Sequence, residues 1–197
     1  MRYGLSVKYV DADPRILRAV AHPLRGALLY ELYARGSANA TVLSKALDEP
    51  VNSVSFHLRQ LAKYGLIEDA PDLAADGRQR WWRPVFPEGF RVSYDKLKES
   101  PGGEAAFEVF RQNTVSNWHV LIDRFFEPRP ESHETWVINN VPLLLTHDEA
   151  REYAEDVYAL MTKWAARGKA ENPAAGDRRT YLALALVMPH QTDLVAR

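Results

Sequence analysis

The chain has 197 residues, of which 46% are hydrophobic and 26% charged, with a formal net charge of −1 and no cysteine. That length and apolar content support one domain or two small ones with a real core. The missing cysteines exclude disulfides, thiolate metal sites, thiol redox sensing and cysteine nucleophiles, and the near-zero net charge excludes an indiscriminate polycation.

The charge is unevenly spread. Residues 1–100 carry 15 Lys and Arg against 12 Asp and Glu, and residues 101–197 carry 10 against 14. A basic front half suits nucleic-acid contact, and a neutral or acidic back half suits some other task. The excess is sharpest from Gly77 to Arg91, where Arg78, Arg80, Arg83 and Arg91 meet only Glu88. No run approaches the roughly 18 apolar residues of a membrane span. Met1-Arg2-Tyr3-Gly4 leads into no apolar signal region, so a cytoplasmic protein is expected.

In chain order, Leu5 to Val10 alternates like a short strand. Asp13-Pro14 opens a short helix through Ile16, Leu17 and Val20, with an acceptor side chain ahead of a proline in the first turn. His22-Pro23 breaks it, because the residue before proline avoids helical geometry. A second helix runs from Leu24 to about Ala34 and ends at Gly36-Ser37. Thr41 to Leu47 is a two-turn helix, and Asp48-Glu49-Pro50 is a tight connection.

The stretch from Pro50 to Glu68 is the most informative. Stepping about 100° per residue from Val54, Leu58 and Leu61 fall on one apolar spine. The opposite side carries Asn52, Ser53, Phe56, Arg59, Gln60 and Lys63, with no acid among them. Gly65 supplies the helix stop, and Leu66-Ile67 re-enters the core. An amide-and-cation face over an apolar spine suits a major-groove reader, while an ordinary amphipathic surface helix would share the spine. The short helix and tight turn ahead of it complete a helix-turn-helix.

Leu66 to Asp69 and Arg78 to Val85 then read as a hairpin behind the helix pair, a wing. It sets Arg78, Arg80 and Trp82 on one face and Gln79, Trp81 and Arg83 on the other. At least one tryptophan should pack, and at least two arginines should face nucleic acid, by phosphate or minor-groove contact. Asp72 and Asp76 argue against deep insertion of the tip.

Three runs carry a resemblance: His22-Pro23-Leu24-Arg25 with Leu28 through Leu32, Leu43-Ser44-Lys45-Ala46-Leu47, and Val54-Ser55-Phe56-His57-Leu58-Arg59-Gln60-Leu61 ending in Gly65-Leu66-Ile67-Glu68. Residues 12–85 thereby resemble the arsenic-repressor (ArsR) type of winged-helix transcription regulators. The resemblance implies a homodimer on double-stranded DNA at a palindromic operator, with Ser53, Ser55, His57, Arg59 and Gln60 at or near the DNA. The angular reading puts Ser55 and His57 on the flanks of the helix, in phosphate or structural roles. Metal-sensing members carry a cysteine pair where this chain reads Leu28-Leu29-Tyr30-Glu31-Leu32-Tyr33. The resemblance therefore withholds thiolate metal sensing.

From Glu88 to Ser100 the chain reads as an irregular linker. Glu104 to Phe126 is a long helix with Phe107, Phe110, Thr114, Trp118, Leu121 and Phe125 as its apolar positions, expected to bury against its own copy. His119 and Asp123 lie at i and i+4, but two ligands are too few for a metal site, and an exposed ion pair is the ordinary reading. Thr135 to Leu145 reads as a strand, with Pro142 marking an edge or bulge. Thr146-His147-Asp148-Glu149 is a capping box opening another long helix, and Thr180 to Met188 is a second, nearly all-apolar strand. Such a strand–helix–strand unit is too small to stand alone, so a dimer mate or the long helix should complete it.

The expected architecture is therefore mainly α with a small β content (α+β). A winged helix-turn-helix occupies residues 1–95; a long dimerisation helix and a small C-terminal dimerisation or effector domain occupy 96–197. The expected function is a sequence-specific DNA-binding transcriptional regulator, a homodimer that a small-molecule effector could gate. The competing reading is a protein-interaction module on a winged-helix scaffold. No nucleophile elbow, phosphate loop, metal-ligand cluster or carboxylate pair points to an enzyme, a metal or a cofactor.

Overall fold

A computed structural model describes residues 10–73, 79–87, 89–128, 135–170 and 178–189. The chain divides into two compact units, Met1–Glu134 and Thr135–Arg197.

In the first unit, helix α1 (Pro14–Val20) starts where Asp13 accepts hydrogen bonds from the backbone N–H groups of Arg15 at 2.7 Å and Ile16 at 2.9 Å. Helix α2 (Pro23–Arg35) has a proline in its first turn and ends at Gly36, whose φ of 78° a side chain would resist. Arg25 donates to the carbonyls of Ala19 and Arg18, satisfying the end of α1. Helix α3 (Ala40–Leu47) is capped by Asn39, whose Oδ1 accepts from the Val42 N–H at 2.9 Å. Asp48, with φ of 52°, turns the chain into helix α4 (Val51–Lys63).

The expected spine is the observed one: Val54, Leu58 and Leu61 are fully buried beside Leu28, Leu32 and Leu43. Helix α4 stops as the sequence requires. Gly65, at φ of 71°, donates to the Ala62 carbonyl at 2.9 Å, and Leu66 donates to the Leu61 carbonyl at 3.1 Å.

Strand β3 (Ile67–Asp69) leaves that turn and pairs antiparallel with β4 (Trp81–Pro84), which also pairs with β2 (Ala38–Asn39) in the sheet order β2-β4-β3. The hairpin is thus a three-stranded wing, shorter on its return than Arg78 to Val85. Its loop, with Arg78 and Asp76, lies outside the described residues. So does the stretch read as a strand from Leu5, apart from its end, where β1 (Val10–Asp11) pairs parallel with β5 (Phe90–Arg91).

Residues 89–100 are not the irregular linker that the sequence suggests from Glu88 to Ser100. Strand β5 and helix α5 (Tyr94–Lys98) lie there, and Leu97 of α5 is buried in the core. Helix α6 (Gly103–Phe126) follows, packing on α1 and α5. A Cβ at Gly103 would sit 1.8 Å from the Leu97 carbonyl oxygen, so only glycine lets α6 begin against α5. The division at 95/96 read from the sequence therefore differs from the unit boundary near 134, because α5 ties α6 to the winged helix.

Phe107 and Phe110 pack partly buried against the core of their own chain, with Phe107 4.9 Å from the Tyr94 ring. Farther along α6, Thr114, Trp118 and Phe125 are half-buried, while Leu121, Ile122 and Phe126 are exposed.

In the second unit, helix α7 (His147–Ala170) has the expected capping box. The Thr146 N–H donates to Glu149 Oε2 at 2.7 Å, and the Glu149 N–H donates back to Thr146 Oγ1 at 3.3 Å. The flanking strands expected over 135–145 and 180–188 are absent as ladders among the described residues. The apolar pattern is present, but a strand exists only through a hydrogen-bonded neighbour, and among the described residues 137–145 and 181–189 form no such bond.

Candidate nucleic-acid interface

Helix α4 positions the candidate readers by burying its spine, which turns every residue opposite it outward. Asn52, Phe56, Arg59 and Lys63 are exposed, and Ser53, Ser55 and Gln60 half-buried on the flanks. Phe56 leaves 51% of its surface in solvent, an apolar side chain on the outward face. Helix α4 has no acidic residue, so the long cations Arg59 and Lys63 project without a counter-charge on their own helix.

His57 takes a different place from the readers. Its ring lies 4.4 Å from that of His22 and 5.1 Å from that of Phe56, and its Nδ1 is buried without a hydrogen-bond partner. Burial first, then the charges of His22 and Arg25, hold the His57 pKa below its ordinary value, with Glu49 opposing weakly. His22 is shifted the same way by burial and Arg25. The contact of the two rings lies where α4 meets the start of α2.

The wing is electrostatically unlike α4. Arg80 Nε donates to Asp69 Oδ2 at 2.8 Å, and its guanidinium lies 4.4 Å above the Trp82 ring. Arg83 Nε donates to Glu68 Oε1 at 2.8 Å, and its Nη1 lies 3.3 Å from Asp72 Oδ1. Trp82 is 4% exposed, so it belongs to the core and serves as the floor beneath Arg80. Its assignment as a contact residue is corrected on that ground: alternation along β4 sends Trp82 and Pro84 inward together.

Between α4, the start of α3 and the wing lies an open cleft of about 250 Å³, lined by Asn39, Thr41, Ser55, Arg59, Gln79 and Arg80 among others. Asn39 Nδ2 donates to Gln79 Oε1 at 2.6 Å, tying the cap of α3 to the wing. Hydroxyls, a primary amide and two guanidiniums at the N-terminus of a helix form a donor set suited to a phosphate oxygen. Thr41 and Gln79 escaped the sequence reading. In the sequence Thr41 begins a helix and Gln79 alternates with Arg80 along the wing; only the packing of three elements brings them together.

A two-turn helix, a tight turn and an outward-facing second helix, with a hairpin behind them, make up a helix-turn-helix arrangement. Residues 20–70, from the end of α1 through β3, match a family model described as a helix-turn-helix domain. No curated protein matches the chain. The chain thus carries a helix-turn-helix domain over these residues, and DNA is the partner such a domain implies. Among the described residues no helix is long and apolar enough to cross a membrane, and no three His, Asp or Glu side chains are grouped to hold a metal ion.

Proposed function

We propose that the protein is a sequence-specific transcriptional regulator of the ArsR type, a homodimer that places α4 in the major groove of a palindromic operator and its wing on the flanking backbone. The observation that carries this reading is the outward face of α4: Asn52, Phe56, Arg59 and Lys63 exposed on a helix without acids, above a spine of buried leucines. Asn52 and Gln60 are amides for adenine edges, Arg59 and Lys63 cations for guanine or phosphate, and Phe56 an apolar contact for thymine methyl groups. Ser53 lies at the start of α4 within reach of the same groove. Ser55 lines the phosphate cleft with Arg80, and Arg78, two residues ahead of Arg80 in the sequence, is a further cation for the backbone. On α6, Leu121 with Trp118 and Phe125 supplies the apolar stretch for a second copy, consistent with the two-fold symmetry of a palindrome.

Selection of bound fragments from a random DNA pool tests this reading directly. The expected result is a palindrome whose half-sites lie about one helical turn apart, bound with steep salt dependence. A pool that stays unenriched at moderate salt would refute it in favour of a winged helix that docks proteins instead.

A further inference from the structure

The second unit holds two apolar segments, 135–146 and 178–189, that are neither helix nor ladder. Among the described residues, those at 137–145 and 181–189 form no backbone hydrogen bond. Their side chains stand in solvent: Ile138 is 62% exposed, Val141 68%, Leu144 103%, Leu186 62% and Met188 66%. Apolar chain with bare backbone donors and acceptors is the most pairing-prone surface a protein can present.

Helix α7 adds a second apolar surface. Ala154, Val157 and Met161 are half-buried along one stripe, while Tyr153, Leu160 and Trp164 form another with Leu160 56% and Trp164 59% exposed. With the two segments, the exposed apolar area is on the order of 1,000 Å², against about 800 Å² per partner in a standard-size interface.

The charges of α7 say what covers this surface. Its first half carries Asp148, Glu149, Glu152, Glu155 and Asp156 against Arg151, and its second half carries Lys163, Arg167 and Lys169 with no acid. The helix dipole favours that order only within the first and last turns. Asp156 and Lys163 lie in the middle, on the exposed stripe beside Leu160, where the dipole offers no reason for them. Turned end for end, the pattern complements itself.

We infer that a second copy of this chain completes the second unit: each copy's segment 135–145 pairs with the partner's segment 180–188, and the two α7 helices lie antiparallel about a two-fold axis near Leu160. Asp156 then faces the partner's Lys163. The segments, 11 and 9 residues long, match closely enough to pair over nearly their whole length, and two copies give four strands where one copy's two are too few for a stable sheet. Pro142, without an N–H, suits the outer strands, and the continuous apolar run of 180–188 suits the covered ones. The isologous contact follows, because every pairing occurs twice. It deepens the homodimer part of the proposed function by locating a dimer surface apart from α6.

Sedimentation equilibrium and hydrogen exchange on the full chain test it. A dimer is expected at micromolar concentration, with the amides of 137–145 and 181–189 protected, and that protection fading on dilution. Leu144→Glu should weaken dimerisation at least 100-fold. Asp156→Lys should weaken it roughly 10-fold, and Asp156→Lys combined with Lys163→Asp should recover most of the loss, because both copies carry the exchange. Circular dichroism and half-site DNA binding check that each variant is folded. A monomer at about 50 μM overturns the inference, as does a dimer whose segment amides exchange freely. A dimer indifferent to Leu144→Glu but dissolved by Leu121→Glu overturns it while leaving the homodimer reading intact. Failure of the charge exchange to recover affinity overturns the antiparallel arrangement and points to a different protein as occupant. DNA selection is read separately, so loss of operator binding leaves this result unaffected.

Discussion

Helix α4 and the wing both look basic in the sequence, yet the fold treats their cations in opposite ways. Arg59 and Lys63 project from a helix without acids, whereas Arg80 and Arg83 are held by Asp69, Glu68 and Asp72 on the same hairpin. The difference is one of cross-strand geometry. Strand pairing in the wing sets Arg83 opposite Glu68, with Arg80 reaching Asp69, side chains that are far apart in sequence. On α4, every position that could hold a counter-charge is an amide, a hydroxyl, an apolar residue or another cation. Local composition therefore overstates the charge the wing offers to DNA, and it represents that of α4 fairly.

The largest effect should come from removing a free cation. Arg59→Ala is expected to cost about 1–3 kcal/mol of operator binding, measured by fluorescence anisotropy. A base contact would make the loss uneven across operator variants, and a phosphate contact would make it uniform. Lys63→Ala should weaken binding less and lower the salt slope by about 1, as loss of one phosphate contact does. If instead Arg83→Ala proved the more damaging change, the contrast between helix and wing would collapse.

Releasing the wing should act in the opposite direction. Exposed ion pairs are worth about 0.2–1 kcal/mol each. Glu68→Gln with Asp72→Asn should therefore leave the fold nearly as stable while tightening binding to any DNA a few-fold. Discrimination between operator and random sequence should fall in the same titration, since phosphate contacts carry no sequence information. Unchanged affinity for random DNA would mean that Arg83 never reaches the backbone.

The smallest effect concerns pH. The His57 pKa lies below its ordinary value in the folded chain, so the unfolded chain binds more protons between the lowered value and about 6.5. The contribution of His57 to stability is complete above that window and is lost as pH falls through it. His57→Gln should flatten this part of the profile in urea denaturation between pH 7.5 and 5. A slope as steep as that of the parent would assign the loss to other groups, with His22 the first to examine because its pKa is lowered too.

Much of the first unit could be read in advance because its signals are local. Asp13-Pro14, His22-Pro23, Gly36 and Gly65 are punctuation that acts within one turn of helix, and the 3.6-residue spacing of Val54, Leu58 and Leu61 implies a buried face without reference to any other element. Residues 88–100 could not be read that way. Leu97 is a lone buried side chain, and what makes α5 a helix there is its packing on α6, over Gly103. Phe107 and Phe110 pack in part on their own chain's core, a partner that periodicity leaves open because it reports that a face is covered and never by what.

By itself the sequence determined the helices other than α5, the caps of α1 and α7, the stops of α2 and α4, the outward chemistry of α4 and the exclusion of thiol chemistry, all properties carried by residues within a few positions of one another. Only the tertiary structure decided which cations of the wing are paired, that Trp82 is the floor beneath Arg80, that Thr41, Ser55 and Gln79 share a cleft, and that among the described residues 137–145 and 181–189 join no ladder. Those outcomes depend on contacts between residues distant in sequence, where charge pairing and strand pairing are settled by proximity in space rather than by the order of the chain.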